Sequence, residues 1–262
     1  MPDAPTNPTV RARRPPPDFR PTAVLAVVDR TPRLRRITLE GPALAGLPSA
    51  GPAASVRLLP PEGDTLVLPA WNGNEWLFAD GSRPPIRTLT PVRIATEDPG
   101  ASPQVDVDVV LHGPGPLSTW AASVEPGTPA ALAGTGRGYD LDPATTDLLL
   151  AGDESALPAI EQLLGLVPPE VRIQVVVSLA APEGRLDLPA HPGATVTWCD
   201  GLAEAVRSLE LPDDVHVWAA GEASEAQRIR RHLFEERGLP RQRCVIRGYW
   251  KHGRGDGPNE PW

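Results

Sequence analysis

DLLLAGDESALPAI, residues 147–160, holds an unbroken apolar run, a glycine and then apolar residues at helical spacing. An apolar run without alternation reads as a strand buried on both faces, and a helix opening straight after a strand-end glycine starts a βαβ unit. The stretch therefore predicts a parallel sheet, and the sequence downstream keeps the same grammar. RIQVVVSL (172–179), ATVTWCD (194–200), VHVWAAG (215–221) and QRCVIRGYW (242–250) read as strands. Between them, GLAEAVRSL (201–209) and SEAQRIRRHLFEERG (224–238) read as helices, the latter stopped by Gly238.

Upstream the period changes from helical to two. TAVLAVVD (22–29), RLRRITLEG (33–41), ASVRLLP (54–60), RTLTPVRI (87–94) and VDVDVVLHG (105–113) read as strands punctuated by Gly and Pro. Closing so many short strands without open edges calls for an antiparallel barrel. The expected order is a disordered Pro/Arg tail (1–17), a β-barrel domain (18–142), a parallel-sheet α/β domain (143–253) and a flexible tail (254–262).

Composition bounds the function. Pro and Gly make up 58 of 262 residues, below the level at which a chain without repeats reads as disordered. A net charge of −8 argues against broad nucleic-acid or anionic-membrane binding. No apolar stretch is long enough to span a bilayer and residues 1–17 lack a signal-peptide core, so a cytoplasmic, monomeric protein is expected. Cys199 and Cys244 have no CxxC spacing, and the five histidines show no HxH or HxxxH pairing, so no protein-held metal is expected. All the basic residues are Arg except Lys251.

Ligands of parallel sheets bind beyond the carboxyl ends of the strands, here Gly152-Asp153-Glu154-Ser155 and Ala220-Gly221-Glu222. The first turn also reads as a simple helix start capped by Asp153 or Ser155. GTGRGYD (134–140) lacks the third glycine and the helix of a dinucleotide fingerprint. In the barrel half, Arg87-Thr88-Leu89-Thr90 places a guanidinium and two hydroxyls on one ribbon, suited to a pyrophosphate. In LHGPGPLSTWA (111–121) a strand ends at a Gly/Pro turn, and Ser118 is placed to open a short helix whose N-terminus offers a second anion site.

These segments together resemble the siderophore-interacting proteins, a branch of the ferredoxin-NADP reductase-like flavoproteins. RTLT (87–90), DVDVVLHG (106–113), GPLSTWA (115–121), AGDESALPAI (151–160), AGE (220–222) and GYWKHG (248–253) occur in the family's order. The resemblance implies an antiparallel FAD-binding β-barrel followed by a parallel-sheet NAD(P)H-binding α/β domain, and reduction of ferric siderophores with NADPH or NADH as donor. Ferredoxin stands as an alternative donor. By position, Arg87, Thr88, Leu89 and Thr90 would hold FAD, with Leu111, His112, Gly113, Pro116, Leu117 and Ser118 as a second flavin segment. Asp153, Glu154 and Ser155 would border flavin and nicotinamide, and Gly221 and Glu222 would line the nucleotide crevice. Tyr249, Trp250 and Lys251 would return to the flavin, with Lys251, Arg247 and Trp250 meeting the siderophore. No side chain is expected to act as a catalyst, because flavin carries the chemistry. Leu89 departs from the family's usual Tyr and predicts looser FAD binding. Arg185 is placed where a 2′-phosphate could lie. Two rival roles are a flavin-deficient siderophore-binding module and an electron-transfer component serving an external partner.

Overall fold

A computed structural model describes residues 18–48, 51–96, 100–113 and 115–253. The predicted tails 1–17 and 254–262, and Pro114 of the HGPGP turn, lie outside the described residues. In chain order the strands are β1 (Phe19–Thr31), β2 (Leu34–Glu40), β3 (Val56–Leu59), β4 (Ala70–Trp71), β5 (Trp76–Leu77), β6 (Arg87–Leu89), β7 (Pro91–Ala95), β8 (Gln104–Val110) and β9 (Pro129–Thr135). They continue as β10 (Asp147–Asp153), β11 (Arg172–Ser178), β12 (Ala194–Cys199), β13 (His216–Glu222) and β14 (Cys244–Trp250). The α-helices are α1 (Pro116–Ser123), α2 (Leu157–Leu166), α3 (Leu202–Arg207) and α4 (Ala223–Arg231).

The first sheet has seven antiparallel strands in the order β6-β3-β9-β1-β2-β8-β7. Its edge strands are separated in the chain by Thr90 alone, so they are no more than about 7 Å apart and the sheet must roll into a barrel. RTLTPVRI is therefore two strands rather than one, because Pro91 cannot donate to the ladder that a continuous strand would need. In β8 the alternation decides the faces. Val105, Val107 and Val109 fill the barrel core, while Asp106 and Asp108 lie on the other face. Asp108 takes Arg36 at 2.8 Å and Arg30 at 2.9 Å, and Asp106 takes Arg93 at 2.8 Å, so the buried carboxylates are compensated.

The second sheet is parallel, ordered β12-β11-β10-β13-β14. The α2 helix covers one face, with Leu157, Ile160 and Leu163 against Leu148 and Leu150. On the other face α3 and α4 pack Val206, Ile229 and Leu233 against Leu149 and Ala219. Gly238, at φ +71°, ends the last helix as expected. That helix widens into a π-turn over His232–Glu236 instead of running uniformly.

Leu34 and Ala53 of the barrel half belong to the same buried cluster as α2. Polar clamps flank them. Arg30 binds both oxygens of Glu161 at 2.7 Å, and Gln162 accepts from the Ala53 N–H at 2.9 Å while donating to the Pro91 carbonyl at 2.6 Å. The two halves are thus joined by apolar packing and by charge-assisted bonds, a rigid frame for anything bound between them.

Candidate functional site

Order reverses in the parallel sheet between β10 and β13, where the chain leaves in opposite directions and opens a crevice at the carboxyl ends. Gly152 and Gly221 end these two neighbouring strands. A Cβ on Gly152 would come within 2.4 Å of the Ala156 Cβ, and one on Gly221, at φ +152°, within 2.6 Å of Asp153 Oδ2. Both glycines are required by close approach.

Asp153 is the hub of the crevice. Its Oδ1 accepts from the Ser155 N–H at 2.9 Å and from the Ser155 hydroxyl. Its Oδ2 accepts from the Glu222 N–H and from Trp250 Nε1–H, each at 2.8 Å. Burial pushes the carboxyl above the usual carboxylate range, against the pull of these donors. Ser155 is thus held by Asp153 rather than left as an independent ligand.

Glu222 caps α4, accepting from Ser224 N–H at 2.6 Å and Glu225 N–H at 3.1 Å, and it also takes the His252 N–H at 3.3 Å. Burial opposes its ionisation, but the donors from Ser224, His252 and Glu225 prevail and hold it below its ordinary value. Glu154 faces the domain interface, where Arg33 binds its two oxygens at 2.6 and 2.9 Å. Nothing in the sequence signalled Arg33, which lies 121 positions away.

On the barrel side, Arg87 is a buried guanidinium that donates to the Ile86 carbonyl at 2.8 Å, Thr88 is exposed, and Thr90 is buried at the closure. Leu89, Leu111 and Leu117 are half-buried against the barrel core. The helix α1 opens at Pro116, not at Ser118, because Gly115 is extended and Pro116 suits the first helical position. Among the described residues no side chain caps it, which leaves its first-turn N–H groups to an anion. Ser118 instead accepts the His112 N–H at 3.1 Å, tying the HGPGP turn to the helix. Gly113 is exposed, with open space where a Cβ would lie.

The end of β14 draws these segments together. Burial raises the Tyr249 phenol pKa, against the pull of the Thr90 hydroxyl. The Trp250 ring lies nearly parallel to His112, 11° between planes and 6.4 Å between centroids, while its N–H goes to Asp153. Lys251 is exposed. Arg247 reaches back to the Ala53 and Arg137 carbonyls at 3.5 Å. Arg185 sits apart, its guanidinium 5.5 Å from the Trp198 ring.

A buried guanidinium, an uncapped helix N-terminus and a half-exposed leucine surface fit the diphosphate and flat ring of FAD on the barrel side. The glycine-lined crevice fits a pyridine nucleotide opposite. Among the described residues no cluster of His, Cys, Asp and Glu is arranged to hold a metal, and no helix is long and apolar enough to cross a membrane.

Two family descriptions match the chain: siderophore-interacting FAD-binding domain over residues 23–138 and siderophore-interacting protein over residues 145–253. A solved siderophore utilization protein from T. fusca is 31% identical, with a TM-score of 0.79, covering 92% of this chain and 96% of that one. The ferric vibriobactin reductase ViuB of Vibrio cholerae is 27% identical over 239 residues, 85% of this chain and 86% of that protein. A ferredoxin NADP+ reductase from Neisseria gonorrhoeae, at 16% identity and a TM-score of 0.58 over 89% of this chain and 99% of that one, shares the two-domain fold.

Proposed function

The chain belongs to the siderophore-interacting protein family, and from that premise we propose that it is an FAD-dependent reductase that uses NAD(P)H to reduce ferric siderophores and release their iron. One observation carries the reading: residues 250–252 join His112, Asp153 and Glu222, one from each of three segments that the flavin and nucleotide would need. The similarity to a ferric vibriobactin reductase supports the choice of substrate class. Bound FAD supplies the conversion between a two-electron hydride donor and a one-electron ferric acceptor.

The protein's own residues hold and orient. Arg87, Thr88, Thr90 and the α1 N-terminus secure the FAD, with Leu89, Leu111 and Leu117 as the apolar surface beside it. Gly152 and Gly221 let the nucleotide approach the sheet. Asp153 and Glu222 fix the loops on either side, and Glu154 locks the crevice to the barrel through Arg33. Arg247, engaged with barrel carbonyls, serves the domain contact more than the substrate.

A chain with net charge −8 exerts no long-range pull on an anionic chelate, so capture relies on a local cation. Lys251 takes that role at the rim. Anaerobic mixing of FAD-loaded protein with NADH or NADPH and a ferric siderophore should bleach the ferric chelate. A protein that takes up no FAD, or that oxidises neither donor in the presence of the chelate, would falsify the reading. In the same assay Lys251→Ala should raise KM about three- to tenfold for an anionic chelate, the size of one charge-assisted contact at a wet rim, and leave a neutral one unchanged. Equal loss on both chelates, or none, removes Lys251 from substrate binding.

A further inference from the structure

Away from the crevice, the outer face of α4 carries charge that the reductase reading does not use. The helix buries Ala226 and Ile229 against the sheet and, with Arg241 from the next turn, encloses a half-open hollow of about 410 Å³. Four guanidiniums line it: Arg228, Arg230, Arg231 and Arg241. Their commitments differ. Arg228 pairs with Glu225 at 2.6 Å and Arg230 donates to the Ile246 carbonyl of edge strand β14. Arg231 and Arg241 have no ion pair or hydrogen bond from their side chains among the described residues, and Arg241 lies 4.7 Å over the Phe234 ring. Elsewhere Arg30, Arg33, Arg36 and Arg172 all end on carboxylates. The hollow thus keeps an excess of positive charge, even with Glu235 in its lining, on a protein that is acidic as a whole.

Clustered guanidiniums repel one another, and their planar forks match phosphate oxygens two at a time. A protein partner would need roughly 800 Å² per side with an apolar centre, whereas Phe234 is the single large apolar contributor here. The volume suits a small molecule. Gln227 and Glu235 add polar groups able to meet the amino or hydroxyl groups of a nucleoside. We propose that this hollow is a binding site for a small ligand carrying at least two phosphate groups, separate from the crevice and independent of the reductase reading.

The test is calorimetric titration of the full chain with pyrophosphate and with ADP at low salt. Saturable binding is expected, weakened at least tenfold in Arg231→Ala/Arg241→Ala, whose thermal midpoint without ligand should match the wild type. Gln227→Glu, which adds a carboxylate to the lining, should weaken binding as well and serves if the double variant is unstable. Tighter binding of ADP than of pyrophosphate identifies a nucleotide as the source of the phosphates; equal binding identifies inorganic phosphate chains. Absence of saturable binding overturns the proposal. So does binding that none of these substitutions weakens, since it would place the anion in the crevice.

Discussion

Asp153→Ala is expected to raise KM for the pyridine nucleotide tenfold or more while leaving FAD content unchanged. The carboxylate gathers donors from Ser155, Glu222 and Trp250, and so holds the ends of β10, β13 and β14 in one arrangement. Without it, the Glu222 N–H and the Trp250 indole lose their acceptor. Orphaned donors that keep some access to water cost roughly 1–3 kcal/mol, or a fall in thermal midpoint of roughly 2–12 °C for a chain of this size. The kinetic loss is expected even where the fold survives, because a displacement of about 1 Å in a positioned site can cost a hundredfold in rate. Asp153→Asn separates charge from bonding. Its amide keeps one acceptor oxygen but turns an NH2 toward the other pair of donors, so it should fall between wild type and alanine. Wild-type KM in both variants would show that Asp153 is a loop fastener with no bearing on the nucleotide.

The crevice was legible because its chemistry is local. A strand-end glycine followed by a helix start is written in six or seven consecutive residues at both Gly152 and Gly221, and the parallel sheet follows from apolar runs. The barrel was harder. RTLTPVRI carries strand-forming residues throughout, and only the three-dimensional closure shows that Thr90 turns the corner. PAALAGT, which forms β9, was missed because alanine has weak strand preference. Ala130, Ala131 and Ala133 are nonetheless fully buried, because β9 lies between β1 and β3 in the sheet. Contacts such as Arg33 with Glu154 across the interface, or Trp250 with Asp153 within the parallel-sheet half, join residues 121 and 97 positions apart. Pattern reading carries no signal at that separation. Nothing local to Glu154 or Arg247 names a partner; the fold shows that both meet residues of the barrel half.

Substitutions on the barrel side should separate flavin affinity from nucleotide affinity, the reverse of Asp153. Arg87→Ala is expected to weaken FAD about 10- to 150-fold, the range for losing a charge-assisted bond of roughly 1.5–3 kcal/mol. With FAD at saturation, KM for the dinucleotide should stay within about twofold of wild type, because Arg87 lies at the barrel closure on β6, in the other sheet from the β10–β13 crevice. Arg87 is buried and bonded to Ile86, so its removal also bears on the fold. Arg87→Lys keeps the charge but not the fork and should fall between the two, with the thermal midpoint of the FAD-free protein reporting any loss of stability separately. Leu89→Tyr should act in the opposite sense. A phenol there adds ring stacking and a hydroxyl bond, each roughly 0.5–1.5 kcal/mol, and so tightens FAD about tenfold if the leucine surface beside Thr90 is where the ring lies. Fluorescence titration of FAD reads all three variants. Unchanged affinity in Arg87→Ala would move the diphosphate off β6 altogether, leaving the α1 N-terminus as its anchor. Weaker binding in Leu89→Tyr would mean that the half-buried Leu89 packs the barrel wall and the ring lies elsewhere.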